Sequence, residues 1–145
     1  MENLEIRDMT LQDFDEIKDI LISDFDDFWS DSILKNELIG ENKKYILAKS
    51  EKEIVGFCGI MINFPDSEIM NIVVKKDFRK KGIGEILLNK IIEISQKLGC
   101  EKIFLEVNEK NIPALKLYGN AGFKRVGIRK KYYENKYDAI IMSKK

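Results

Sequence analysis

Val74-Lys75-Lys76-Asp77-Phe78-Arg79-Lys80-Lys81-Gly82-Ile83-Gly84 joins an apolar run to a long amphipathic segment. Upstream, residues 68–74 read as a strand. Its end, Ile72-Val73-Val74, is continuously apolar, as in a central strand covered on both faces. Downstream, residues 82–98 carry Ile83, Ile86, Leu87, Ile91, Ile94 and Leu98 at helical spacing, and Gly99 stops them. Five of the seven connecting residues are basic. Gly82 and Gly84 let a ligand approach the backbone closely. The helix that opens here presents unpaired N–H groups and the positive end of its dipole. Glycines, amides and lysines at one turn are the ingredients of an anion site. Spacing alone leaves two other readings open. One is a solvated basic turn whose glycines serve helix packing. The other is a dinucleotide fingerprint, because Glu106 lies about twenty residues on, where a ribose-binding acid sits. Against it stand Leu87 at the third glycine position and the seven-residue loop between strand and glycines. A Walker A loop is excluded, because no Gly-Lys-Ser/Thr follows.

Working outward, residues 4–7 alternate like a short strand. Thr10 suits the N-cap of a helix carrying Leu11, Phe14, Ile17, Ile20 and Leu21. Ser30 or Asp31 starts a second helix with Ile33, Leu34, Glu37 and Leu38, ending at Gly40. Residues 45–49 and 53–62 form a strand pair around Ser50-Glu51-Lys52. Phe64-Pro65-Asp66 breaks the chain before the strand at 68–74. Beyond the long helix, residues 102–107 read as a strand. Residues 111–120 read as a helix with Pro113 near its start. Residues 122–126 and 138–142 close the chain as strands. The order predicts an α+β or mixed α/β layer rather than a doubly wound repeat. No repeat or linker interrupts the 145 residues, so residues 1–145 are expected to form one domain.

Composition narrows the functions. Formal net charge is zero, which argues against a general nucleic-acid binder. Positive charge can act only where it clusters. Histidine is absent. This removes His-dependent triads, zinc sites built on His and a His general base. An enzyme of this composition must take its acid and base from Glu, Asp, Tyr, Lys or Cys. Cys58 and Cys100 both lie beside apolar runs and read as buried, reduced thiols. Cys100 as an acyl carrier is a minor alternative. No apolar stretch reaches membrane-spanning length, and Met1-Glu2-Asn3 does not open a signal peptide. A cytoplasmic protein with no membrane partner is expected.

Two residues downstream can carry chemistry. In Lys102-Ile103-Phe104-Leu105-Glu106-Val107, alternation places Ile103, Leu105 and Val107 on one face and Phe104 with Glu106 on the other. A carboxylate in the middle of such a strand is expected to be partly desolvated, which raises its pKa toward a general base's working range. A salt-bridged glutamate at a sheet edge is the competing reading. Tyr118 lies on the next helix among Ala114, Leu115 and Leu117. It reads either as a core tyrosine with its hydroxyl at the surface or as an acid. Strand and helix are consecutive, so their ends can converge on one cleft.

These residues together resemble a known family. Arg79-Lys80-Lys81-Gly82-Ile83-Gly84 looks like the R/Q-x-x-G-x-G/A motif of the GNAT acetyltransferase superfamily. Leu105-Glu106-Val107, Asn111 and Leu117-Tyr118-Gly119-Asn120-Ala121-Gly122-Phe123 are similar to the second half of the ribosomal-protein-alanine N-acetyltransferases (RimI-like). Arg129-Lys130-Lys131-Tyr132-Tyr133 and Asp138-Ala139-Ile140-Ile141-Met142 continue that likeness. Asn71-Ile72-Val73-Val74 and Phe28-Trp29-Ser30 match upstream. The likeness is weak across residues 36–65. It implies a GNAT fold, with a central twisted, mostly antiparallel sheet of six to seven strands flanked by about four helices.

The resemblance also implies roles. The co-substrate would be acetyl-CoA, with no metal. Backbone groups of Ile72, Val73 and Val74 would meet the acetyl and pantetheine arm. Arg79, Lys80, Lys81, Gly82, Ile83, Gly84 and Glu85 would hold the pyrophosphate, and Asn111 would contact the cofactor. Glu106 matches the family's general base and Tyr118 its general acid. The acceptor would be a protein N-terminal α-amine, with a ribosomal protein beginning in alanine as the partner. Lysine, a polyamine or another small amine is the alternative. A non-catalytic acyl-CoA-binding module is a third reading, opposed by the retention of Glu106 and Tyr118. The acceptor would approach over Phe28, Trp29, the Phe64 turn and residues 129–133. A monomer or weak dimer is expected. One departure bears on the acceptor: Asn108 and Glu109 follow Glu106 where the family often has Arg at the first of these, and Lys110 replaces a common Ser.

Overall fold

The computed structural model describes residues 4–25, 31–133 and 136–145. Phe28, Trp29 and Ser30 lie outside the described residues, as does the side chain of Tyr133. Strand β1 (Leu4–Asp8) pairs antiparallel with β2 (Lys43–Ser50), and β2 with β3 (Glu53–Asn63). β3 then pairs antiparallel with β4 (Asp66–Val74). β4 runs parallel to β5 (Lys102–Asn108), the single parallel pair among the described strands. β5 is antiparallel to β7 (Tyr137–Lys144), and β7 to β6 (Lys124–Tyr133). The result is one seven-stranded sheet in the order β1-β2-β3-β4-β5-β7-β6. This is the α+β architecture expected from the sequence.

Local chemistry explains the connections. The β2–β3 hairpin turns on Glu51 and Lys52, both at positive φ (49° and 74°). Such a turn matches the right-handed twist of the flanking strands. A parallel neighbour requires a long crossover. Helix α3 (Ile83–Lys97) supplies it between β4 and β5. Helices α1 (Leu11–Ile17) and α2 (Asp31–Leu38) lie between β1 and β2, and α4 (Ile112–Asn120) follows β5. Pro113 falls in the first turn of α4, where its missing N–H costs nothing.

The two faces of the sheet are covered unequally. On one face α3 and α4 pack against β2, β3, β4, β5 and β7, burying Ile83, Leu87, Leu88 and Ile91 with Leu105, Val107 and Ile140. On the other, α1 and α2 cover only β2, β3 and β4, around Phe14, Leu21, Phe25, Leu34, Leu47 and Phe57. Over β5–β7 that second face carries Phe104, Glu106 and Ile141, each partly exposed. Tyr45 leans across its cross-strand partner Gly59. A Cβ on Gly59 would stand 2.2 Å from the tyrosine ring, so only glycine fits beneath it. The Tyr45 hydroxyl donates to Glu37 on α2 at 2.8 Å, which locks that helix to the sheet.

Several expectations need correction. The stripe of α3 is rotated. Leu88, Ile92 and Ser95 are buried, whereas Ile86 and Leu98 are 39% and 51% exposed. The helix buries a broad arc, so Ile86 falls on its flank, and Leu98 sits at the C-cap. Ser95 is tolerated inside because its hydroxyl pairs with that of Ser67 on β4 at 2.7 Å. The helix from Leu11 does not stay α-helical through Leu21. It passes into a 3-10 turn (Lys18–Ile20) and a π turn (Leu21–Phe25), which buries both Leu21 and Phe25. Leu11 and Ile33 face solvent. Cys58 is buried as expected, but Cys100 is only partly so; both thiols are free.

The N-terminus of α1 holds a charge pair with a pH signature. Thr10 caps the helix, and its amide donates back to Asp13 at 2.8 Å. Both guanidinium nitrogens of Arg7 donate to the same carboxylate at 2.8 Å. The Arg7 hydrogen bonds hold the Asp13 carboxyl down at about 2, against the pull of burial. A depressed folded-state pKa stabilises above the unfolded value and loses that stabilisation as pH falls through the folded value. We expect about 1–2 kcal/mol from this group at neutral pH, lost between about pH 4 and 2. Asp13→Asn should lower the urea midpoint at pH 7 and flatten its fall over that window. Parallel pH curves for the two proteins would contradict the pair's role.

Candidate active site

The site begins where the sheet comes apart. β4 and β5 share three residue pairs, Asp66–Lys102, Ser67–Ile103 and Glu68–Phe104. Past Glu68 and Phe104 the ladder stops, although both strands run on to Val74 and Asn108. Each stays held on its other side, β4 by β3 and β5 by β7. The divergence therefore opens a split within an intact sheet. Ile72, Val73 and Val74 line the β4 side of it. The side chain of Val73 is buried under α1 and α2, and those of Ile72 and Val74 are half-buried and pack toward α3.

The basic loop sits at the end of β4. Lys76, Asp77 and Phe78 form one 3-10 turn, and Gly82 caps α3 in the left-handed region at φ 84°. No atom lies within 4 Å of a Cβ built on Gly82, so the loop's surface is open there. Lys80, Lys81 and Glu85 are exposed. Ile83 is buried. A Cβ built on Gly84 would stand 3.8 Å from Leu117 on α4 and 3.9 Å from Val74 on β4, ordinary contact distances, so packing there does not demand glycine.

The five cations of this loop are not equivalent. The Arg79 side chain does not point into the open loop. Its Nε donates to the Val74 carbonyl at 3.0 Å and its Nη2 to the Phe25 carbonyl at 2.6 Å. Lys75 pairs with Glu53 and lies 3.8 Å from Asp24. Both residues thus tie the π turn at Leu21–Phe25 to the end of β4. Lys81 lies over the Phe78 ring at 5.3 Å. Lys76 and Lys80 make no ion pair among the described residues. The Arg79 side chain, expected at the pyrophosphate, is thus engaged with the Val74 and Phe25 carbonyls, while its backbone stays in the loop.

Glu106 and Tyr118 approach the split from opposite faces. Glu106 projects to the face that α1 and α2 leave bare, where it meets Arg129 of β6 at 2.7 Å. Its side chain keeps 17% exposure. Glu106 is salt-bridged, as the competing reading expected, but on a strand inside the sheet rather than at its edge, and it is also largely buried. Arg129 is sandwiched, with its guanidinium 4.5 Å from the Tyr132 ring. Tyr118 lies on the other face in the α3–α4 core, 7% exposed, with the Phe123 ring edge-on at 6.0 Å. The two residues do not share a surface cleft.

Asn111 caps α4, with its Oδ1 accepting from the Ala114 amide at 3.2 Å. Asn108 turns inward on the loop, accepting from the Lys110 amide at 2.9 Å. Glu109 accepts from the Asp138 amide at 2.6 Å and so pins β5 to β7. Phe64 lies apart from residues 129–133, which sit toward the other end of the sheet. It lies at the opposite end of β4 from the loop, against Gly99, and is 71% exposed. Glu68, the last laddered residue of β4, was overlooked in the sequence. Its partner across a parallel pair is invisible until register is known.

Among the described residues no helix is long and apolar enough to cross a membrane. Compared with known proteins, residues 12–123 match the model of the acetyltransferase (GNAT) family. The chain is 35% identical over 140 residues to the provisionally named ribosomal protein bS18-alanine N-acetyltransferase of Bacillus subtilis (strain 168), covering 94% of this chain and 92% of that one. Among solved structures, the ribosomal-protein-S18-alanine N-acetyltransferase of Escherichia coli superposes with a TM-score of 0.87 at 26% identity, covering 97% and 92%. Arabidopsis thaliana NAA60 in complex with acetyl-CoA shares the fold, with a TM-score of 0.84 at 18% identity over 98% of each chain. A split parallel pair, a glycine-capped basic loop at its mouth and a matching family model over most of the sequence place this chain in the GNAT acetyltransferase family.

Proposed function

We propose that this chain transfers the acetyl group of acetyl-CoA to the α-amine of a protein N-terminus, with an alanine-starting ribosomal protein as acceptor. The observation that carries the proposal is the end of the β4–β5 ladder at Glu68 and Phe104, with Glu106 on one side of the split and Tyr118 on the other. Residues 1–145 would act as one domain in the cytoplasm, as a monomer or weak dimer without nucleic acid. The likeness to the bS18-alanine enzymes supports the acceptor.

The pantetheine arm would lie along the β4 edge at Ile72, Val73 and Val74. Its pyrophosphate would meet the amides opening α3 and the Lys76 and Lys80 side chains. A helix N-terminus with nearby lysines suits that anion. The open space over Gly82 admits it. The acceptor would enter from the face bearing Glu106 and Arg129. An α-amine has a pKa of about 7.7–8.0 and a lysine about 10.4, so near neutral pH roughly a third of the former but only about a thousandth of the latter is nucleophilic. Glu106 would take the acceptor's proton, directly or through water. Backbone N–H groups near Val73 would stabilise the oxyanion. Tyr118, from the opposite face, would protonate the departing sulfur.

Free-thiol release from acetyl-CoA should be faster with an alanine-starting peptide than with an Nα-blocked lysine peptide or a polyamine. Equal or faster release with the blocked peptide would overturn the acceptor assignment. Glu106→Gln and Tyr118→Phe should each lower kcat by about 10²-fold or more, with the acetyl-CoA dissociation constant nearly kept. Wild-type turnover in both would remove their roles. Gly82→Val should weaken acetyl-CoA binding, because a β-branched residue at φ 84° is strained and crowds the loop. An unchanged dissociation constant by calorimetry would argue against the cradle.

A further inference from the structure

Glu68 stands where the two strands part. It belongs to the last laddered pair, opposite Phe104. Partners on neighbouring strands project to the same face of a sheet, and residues two apart on a strand share a face. Phe104 therefore sets Glu68 on the face of Glu106, one carboxylate on each strand at the opening of the split. Glu68 is partly buried and senses the charges of both Glu106 and Arg129. The two carboxylates differ in their partners. Glu106 is held by Arg129 at 2.7 Å, whereas Glu68 makes no hydrogen bond or ion pair among the described residues. Burial, and then the Glu106 charge, push the Glu68 carboxyl above its ordinary range, with Arg129 pulling the other way. The charged groups acting on it are thus Glu106 from β5 and Arg129 from β6. Its β3 partner Met61 and its β5 partner Phe104 do not ionise.

We propose that Glu68 is a second proton-accepting carboxylate of the transfer reaction, receiving from Glu106 the proton that leaves the acceptor's ammonium. The proposal rests on the assignment of Glu106 as general base. An ammonium N–H bond breaks and its proton passes to Glu106. The freed lone pair forms the N–C bond to the acetyl carbon as the C–S bond breaks. The nitrogen's next proton replaces, by way of Tyr118, the one given to the sulfur. The first proton is the one the net reaction releases. It moves from Glu106 to Glu68 and then to water, which leaves Glu106 charged and paired with Arg129 for the next turnover.

The test is Glu68→Gln, assayed from pH 5.5 to 9 with whichever amine the wild-type chain acetylates. We expect kcat to fall about 10-fold, a modest share of what acid–base groups supply, with the acetyl-CoA KM unchanged. A purely structural role would leave the ratio of kcat to KM unchanged. Impaired Glu106→Gln beside an unaffected Glu68→Gln overturns the relay alone. Unaffected Glu106→Gln overturns the base assignment and the relay with it. A readout independent of turnover is carboxyl-carbon NMR titration of the wild-type protein and Glu106→Gln. Glu68 should titrate above the ordinary glutamate value of about 4.3 in the first and lower in the second. A titration indifferent to Glu106 overturns the coupling.

Discussion

β4 and β5 are neighbours for three residue pairs and then diverge, and the placement of every candidate group follows from that divergence. An open sheet normally separates its two faces. Here a gap between parallel strands connects them. The gap does not cost the sheet its integrity, because β4 keeps its ladder with β3 and β5 its ladder with β7. Under the proposed mechanism, a ligand threaded through the split would meet Glu106 from one face and Tyr118 from the other. The unequal covering of the sheet gives that arrangement a direction. Helices α3 and α4 fill one face, while α1 and α2 stop at β4.

The charges around the split divide into structural and available groups. Net charge is zero, so local pairing decides what each cation does. Arg79 and Lys75 reach back to the π turn and to Glu53. They anchor the chain just before residues 26–30 to the end of β4. Lys76 and Lys80 keep their ammonium groups for the open side of the loop. On the bare face, two carboxylates and one guanidinium sit close together. Arg129 compensates Glu106 and leaves Glu68 as the group on which burial and like charge act most directly. The capping pair of Arg7 and Asp13 works in the opposite sense, lowering the carboxyl's proton affinity to secure a helix end.

Periodicity and turn chemistry made most of the elements legible. Thr10, Gly82 and Asn111 mark the helix starts, and Glu51-Lys52 turns the hairpin where expected. The alternation around Glu106 put Leu105 and Val107 on one face and the carboxylate on the other, as found. What escaped were features set by partners distant in sequence. Ser95 is polar yet buried, because Ser67 waits for it on β4. The α3 arc is centred by the sheet it lies on, not by its own apolar count. Phe64 lies near Gly99, a whole strand's length of β4 away from the basic loop.

The sequence by itself determined which residues could cradle an anion and which could move a proton. Those depend on residue type and on spacing within one element: glycines at a helix start, a carboxylate at mid-strand, a tyrosine on the next helix. Only the tertiary structure decided what those groups meet. Whether Glu106 is solitary or paired depends on Arg129, which arrives from β6. Whether Glu68 matters depends on the register of a parallel pair that no local pattern encodes. Where the strands separate is fixed by pairing between segments more than thirty residues apart, and contacts of that kind exist only once the chain has folded.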